Sequence, residues 1–445
     1  MAAEETSAGP SSPSIPKGPS IPKGFKGYVQ FTGPGLLVAM AWLSAGDLVT
    51  ASVSGADYGY ALIWALVMSL VARYFFVSAI GKYILANNEE SDSIMAGFRR
   101  LWRGLPILMG AVAFVVGFIV QTYIIKGAAA ALYNLVGRPG DSGWGVFVVA
   151  ILLVGLTTAM LLAGRQYKVL ELLARLSVVA LLVTFMIIVA LRGFDVMELL
   201  RGLVFQVPED AGGFRSIVIV AAIIGAVGGS AANLLYPYFL RDKGWNRPEY
   251  RKLQIVDLLI GIVAMVIINL AVWIMAAETL QGRDFSIQDE NDLAQMMQLG
   301  IGAPGPVLLW LGLFFVTFNS FPAYSYGFTK VLLDGVRHTF PRVSDPADDL
   351  ERIPGFRWLQ IGGLLCLPLL FSLPMAPNFV VLTIAGQALQ ALTGPIIIVG
   401  IIILTSSRRF MMAAYVNKWW ETLALLLIGA IGLWATFGTI RSFFG

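Results

Sequence analysis

Eleven apolar runs, each long enough to cross about 30 Å of hydrocarbon, divide almost the whole chain between them. They fall at approximately 30–56, 59–86, 104–135, 143–163, 167–192, 214–240, 254–280, 304–336, 357–375, 378–405 and 418–443. At that depth there is no water to satisfy the backbone, so each run must bond its own N–H and C=O groups as a helix. Hydrophobic residues make up 57% of the 445 and charged residues 13%, against roughly a quarter charged in soluble domains. The chain therefore reads as an all-α, multi-pass membrane protein. Its single cysteine, Cys366, and single histidine, His338, exclude an internal disulfide and any Cys- or His-based metal cluster. No phosphate-cradling Gly-rich loop follows a strand and no Ser–His–acid set is present, so neither nucleotide-driven work nor enzyme chemistry is indicated.

The basic residues orient the runs. With the N-terminus inside, the tail and the even-numbered connections hold 21 of the 31 lysines and arginines. Six fall outside, and four (Arg73, Lys126, Arg175 and Lys330) lie within spans. Positive charge collects on the cytoplasmic side, which predicts an inside N-terminus and an outside C-terminus. The same rule makes the net charge of +4 a property of loops, not a nucleic-acid footprint. Ahead of the first run stands "PSIPKGPSIPKG" (13–24), a tandem Pro- and Lys-rich repeat. Residues 1–26 read as a disordered cytoplasmic tail.

Two runs are interrupted. The first contains "SAGD" (44–47), and the sixth contains "GGSAAN" (228–233) with a further break near Pro237. They take corresponding places if spans 1–5 and 6–10 are two halves, and an odd number of spans per half inserts the second half upside down. Paired Gly-interrupted segments of this kind point to a transporter's midplane binding site. Unwound backbone leaves carbonyls and amides that hydrocarbon tolerates only where they line a cavity or grip a ligand. Asp47 stands in the first break, the deepest of the 27 acids by position. A mid-membrane carboxylate is costly and usually functional; the alternative is a buried hydrogen-bond knot holding the unwound segment. Glu171, Asp257, Glu278 and Asp334 lie within about two turns of a span end, where loop contacts can satisfy them.

"TGPGLLVAMAWLSAGDLVTASVSGADYGYALIWAL" (32–66) resembles the opening span of the Nramp family of divalent-metal transporters, which begins GPG and carries a DPGN break. "AAIIGAVGGSAANLLYPYFLRDKGW" (221–245) is similar to that family's sixth span, whose break reads MPH. Segments 167–181, 256–280 and 386–399 add spans 5, 7 and 10. The resemblance implies a LeuT-like fold of two inverted five-helix repeats plus one extra helix, eleven in all. The first repeat would run 27–193, the second 214–405, and the extra helix 418–443.

Carried onto this chain, DPGN falls on Ser44, Ala45, Gly46 and Asp47, so the usual metal-binding aspartate is Ser44 and the charge has moved three residues to Asp47. The family methionine falls on Gly229 and its proline on Ser230, and the histidine becomes Ala231 or Ala232. Gln387 matches a family glutamine near the site. The two acids of the family's proton route fall on Gln121 and Ile124, neither of which can carry a proton. What remains is an all-oxygen set: Asp47, Ser44, Ser230, Asn233, Gln387 and freed carbonyls at Ala45, Ala226 and Gly229. Loss of the soft thioether favours hard ions, and magnesium keeps several waters.

The expectation is a divalent-cation transporter, magnesium or manganese its leading cargo, with weak or absent proton coupling and no resident cofactor. Its partners would be the cation and the lipid bilayer, with no nucleic acid, and the protein would be a monomer in the cell's inner (plasma) membrane. Two other readings stay open: a LeuT-like carrier of a small organic solute such as an amino acid, and a non-transporting membrane sensor. Lys126 could be a fixed charge replacing the mobile proton. It lies two positions from Ile124, about 200° round the helix, which favours a snorkelling or helix-contact lysine instead. Trp102, Trp144, Trp245, Trp419 and Trp420 read as interfacial anchors.

Overall fold

The computed structural model describes residues 45–162 apart from 90, 92, 139 and 141, isolated positions between 183 and 190, and 193–444 apart from 228, 229, 284 and 342–348. The N-terminal tail and nearly all of the fifth span lie outside the described residues. So do Ser44, Gly229, Glu171 and Arg175.

The described residues are almost entirely helical. Helix α1 (Ala45–Tyr58) is the second part of the first span, followed by α2 (Ile63–Ala86), the short α3 (Ile94–Leu101), α4 (Leu105–Leu135) and α5 (Ser142–Leu162). After α6 (Val196–Arg201), the sixth span begins as α7 (Ser216–Val227). It resumes as a 3-10 turn, Ala231–Leu235, and continues as α8 (Tyr236–Asp242). Then come α9 (Arg251–Leu280), α10 (Glu290–Ile301) and α11 (Gly305–Thr339). A π-helical segment, Trp358–Cys366, and a 3-10 turn, Pro368–Ser372, make the ninth span. The tenth is α12 (Phe379–Gln390), a tight turn and α13 (Gly394–Thr405), and the last is α14 (Trp419–Phe444). Among the described residues, eight helical stretches are long and apolar enough to span a bilayer, and Trp358–Ser372 is a shorter apolar one.

Three local differences from the sequence reading have physical causes. The break in the sixth span runs to Leu235, and Pro237 opens α8 at a first-turn position, where its missing N–H costs nothing. The tenth span is not continuous: α12 stops at Gln390 and α13 restarts with Pro395 in its first turn. Trp245 is not an interfacial anchor. It is buried, stacked on Tyr250 with centroids 6.2 Å apart and capped by Lys243 at 4.5 Å. By contrast Trp102, Trp144, Trp419 and Trp420 are exposed, as belt residues should be.

Packing sorts the helices into two groups. The most extensive interface joins α4 to α11, the third span to the eighth. On the other side α1 lies along α9, and α7 lies against α12 and α2. If spans 1 and 6 are equivalent, then 2 and 7 are also, and first-on-seventh mirrors sixth-on-second. That reciprocity is what an inverted repeat requires. Helices α5 and α14 are the least covered by protein and form the lipid-facing rim. Close approach depends on glycine at two points: a Cβ on Gly55 would sit 2.5 Å from the Trp273 carbonyl oxygen, and one on Gly225 only 2.0 Å from that of Gln387.

Three of the four acids near span ends lie among the described residues, and each has a polar partner. Asp257 pairs with Lys243 at 3.2 Å, and Glu278 accepts from the Tyr60 hydroxyl at 2.7 Å. Asp334 accepts from Ser93 and Tyr238 and pairs with Arg337. Asp257 and Asp334, at 0% exposure, are even less accessible than Asp47 at 3%.

Candidate functional site

Asp47 lies in the first described turn of α1. Ala45 and Asp47 are both buried. One turn on, Thr50 donates its Oγ1 to Oε1 of Gln387 on α12. Burial strips water from that amide, and Gln387 Nε2 has no hydrogen-bond partner among the described residues. The close approach at Gly225 is what brings the α12 backbone beside α7 here. Gln387, named from sequence, is thus bonded to α1 one turn beyond Asp47 through Thr50, which was not named.

The last described turn of α7 completes this side. The Ala226 carbonyl accepts from a guanidinium nitrogen of Arg73 at 2.8 Å. Arg73 comes from the middle of α2, is 1% exposed, places its other terminal nitrogen 3.1 Å from Met265 Sδ, and interacts electrostatically with Asp47 and with Tyr324 of α11. One cation therefore reaches both the Asp47 charge and an Ala226 oxygen.

Ser230 and Asn233 are buried in the segment that restarts the sixth span. Ser230 caps it, accepting from Ala232 N at 3.1 Å, and donates to Oε1 of Gln390 at 2.7 Å. Gln390 in turn donates to the Tyr123 hydroxyl of α4 at 3.4 Å. The residues around the breaks thus include Arg73, Thr50, Gln390 and Tyr123, none called a site residue from sequence. Two signals were there to read: a guanidinium at the centre of a 24-residue span, costly wherever it occurs, and "QALQ" (387–390), two amides three apart on an otherwise apolar helix. Among the described residues no three His, Cys, Asp or Glu side chains gather into a metal cluster.

The positions of the family's proton route carry no acid. Gln121 donates to the Phe321 carbonyl at 2.7 Å, tying α4 to α11, and Ile124 is buried. Lys126 points to the outer loop, with Nζ 2.7 Å from the Pro377 carbonyl oxygen and 3.4 Å from that of Ala376. That is a contact with loop backbone, not with a neighbouring helix.

A family profile, described as natural resistance-associated macrophage protein-like, matches residues 35–440. The chain belongs to the Nramp family. Among curated relatives it is 28% identical to Metal transporter Nramp6.2 of Populus trichocarpa, over 37% of this chain and 28% of that protein. It is 24% identical to the Divalent metal cation transporter MntH of Verminephrobacter eiseniae over 64% of each. The chain thus covers less than two thirds of the length of these two relatives. With the Xylella fastidiosa MntH it shares 21% identity over 96% of this chain and 88% of the relative. Among solved structures, a mutant of the Eremococcus coleocola manganese transporter superposes with a TM-score of 0.75 at 20% identity, over 96% of this chain and 90% of that one. Mhp1, a nucleobase-cation-symport-1 family transporter, gives 0.51 at 17% identity, over 91% and 90%. This Nramp protein is an all-α, multi-pass membrane protein with the LeuT-like fold and not an enzyme. In this family metal is cargo, and no resident cofactor is implied.

Proposed function

We propose that this protein is a secondary transporter of divalent metal cations, with magnesium and manganese the leading cargo. The observation that carries the reading is the buried Asp47 carboxylate of α1, which shares the Arg73 guanidinium with the Ala226 carbonyl near the described end of α7. A dication there meets one full negative charge and uncharged oxygens from Gln387 and the Ala45, Ala226 and Gly229 carbonyls. Rotating the Gln387 amide by a half-turn exchanges its ends, so that its nitrogen donates to Thr50 and its oxygen faces the ion. Ser44, Ser230 and Asn233 complete the proposed set, with Ser230 releasing Gln390 to join it. Hard oxygen donors and a single carboxylate suit a partly hydrated ion.

Coupling to protons is weak or absent on this reading, because Gln121 and Ile124 stand where the proton route would need acids. The repeats are placed at 27–193 and 214–405, with a cytoplasmic tail at 1–26 and an added helix at 418–443. We place the N-terminus in the cytoplasm and the C-terminus outside, in a monomer of the inner membrane. Uptake of Mg2+ and Mn2+ into proteoliposomes, with Asp47→Ala as the comparison, tests this. Equal flux in the variant removes Asp47 from the site, and strong acceleration by a pH gradient removes the uncoupled mechanism.

Arg73 favours one second reading, a small organic solute whose carboxylate the guanidinium would hold. A Mn2+-induced rise in melting temperature that disappears in Asp47→Ala supports the metal.

A further inference from the structure

We propose that Arg73 is a tethered counter-cation for Asp47, occupying in the empty protein the place a divalent ion takes in the loaded one, and so setting the site's affinity. This rests on the metal reading above and adds to it how the empty site is kept neutral.

Arg73 lies about 15 Å along α2 from its start and about 20 Å from its end, too deep for its charged head to reach either water layer. A guanidinium at that depth must be neutralised and its donors must be used. The structure provides for both. Asp47 is the carboxylate with which it interacts, and the Ala226 carbonyl, 2.8 Å away, is an acceptor near the described end of α7. Met265 Sδ and the electrostatic contact with Tyr324 fill out its surroundings. The same charge and the same carbonyl are two of the features that would attract a dication.

Two consequences follow. A guanidinium stays protonated in proteins, so the empty site is neutral without borrowing a proton, and the empty carrier can change state with no carboxylate left uncompensated. A dication must also displace the guanidinium from Ala226, so its apparent affinity is lowered by the fraction of time Arg73 holds the site. Occupancy of about nine-tenths raises the apparent Kd about tenfold. The fixed charge that the sequence reading considered at Lys126 thus belongs to Arg73. The competing account is that Arg73 is a static cap on α7, holding the break together without ever contesting the ion.

Mn2+ binding by calorimetry on the purified full chain separates the two. Tethered competition predicts that Arg73→Met, which keeps the volume, binds Mn2+ at least about tenfold more tightly than the wild type. In Arg73→Ala, added guanidinium should then weaken Mn2+ binding, with no such effect in the wild type. Arg73→Lys keeps a cation but loses the planar fork, and should tighten binding by about threefold. It serves the purpose if the other variants fail to fold. Unchanged or weaker Mn2+ binding in the folded variants overturns the inference and leaves the metal reading standing. If neither wild type nor variants bind Mn2+ or Mg2+ at millimolar concentration, the metal reading fails and this inference with it.

Discussion

Replacing Asp334 by alanine should destabilise the protein as much as any single change outside the helix breaks. Its side chain is fully buried and accepts from Ser93 Oγ at 2.6 Å, the Tyr238 hydroxyl at 2.7 Å and Arg337 Nε at 2.7 Å. His338 Nδ1 lies 3.1 Å from the same carboxylate. These partners come from the N-cap of α3, from α8 and from α11, so one carboxylate ties the α8 part of the broken sixth span to the third-and-eighth-span group. Alanine leaves the buried Arg337 guanidinium without its carboxylate, and breaking such a pair costs about 3–5 kcal/mol. With an unfolding entropy of about 2.1 cal/mol/K per residue, a 445-residue chain should lose about 3–5 °C in Tm. Helices that persist in detergent reduce that entropy, which makes the shift larger. Intrinsic tryptophan fluorescence through a thermal ramp in detergent measures it. The double variant Asp334→Leu/Arg337→Met removes both charges and should recover most of the loss. A single-variant drop under about 1 °C, or strict additivity in the pair, refutes the reasoning.

Two further outcomes are expected. Burial pushes the Glu290 carboxyl in α10 above the usual range, with Lys126 only partly pulling it back. The folded protein therefore holds that proton to higher pH than the unfolded chain does, and stability falls as pH rises through the folded pKa. Glu290→Gln should remove this decline, so a wild type that gains Tm relative to Glu290→Gln with rising pH contradicts the assignment. Lys126 binds outer-loop carbonyls and not the ion route, so Lys126→Met should leave Mn2+ flux within about twofold; a large loss in the liposome assay would return Lys126 to the pathway.

How much of the site was legible depended on the kind of signal each residue sends. Asp47 was conspicuous because a carboxylate inside an apolar run has no bland surroundings in sequence. Gln387 was named through its match to the family pattern. Arg73 sends the same kind of signal as Asp47 and was counted within a span without being weighed as part of the site. Its depth in α2 decides otherwise. Thr50, Gln390 and Tyr123 could not be named, since an isolated hydroxyl or amide on a span looks alike whether it faces a helix neighbour or a cavity. Trp245 failed for a related reason. Its place near a span end matched an interfacial belt, and only the fold shows that Tyr250 and Lys243 enclose it.

Hydrocarbon thickness and the rule that buried backbone must pair its own polar groups act on every segment separately. The primary structure by itself therefore determined the helical class, the approximate spans and the two interruptions within them. Which charge compensates which is a relation between segments: Asp47 and Arg73 are 26 positions apart, on different helices, with the Ala226 carbonyl more than 150 further along. No local pattern encodes that meeting. Only the tertiary packing of α1, α2 and α7 decided it, because electrostatic and hydrogen-bond partners are selected by distance in space.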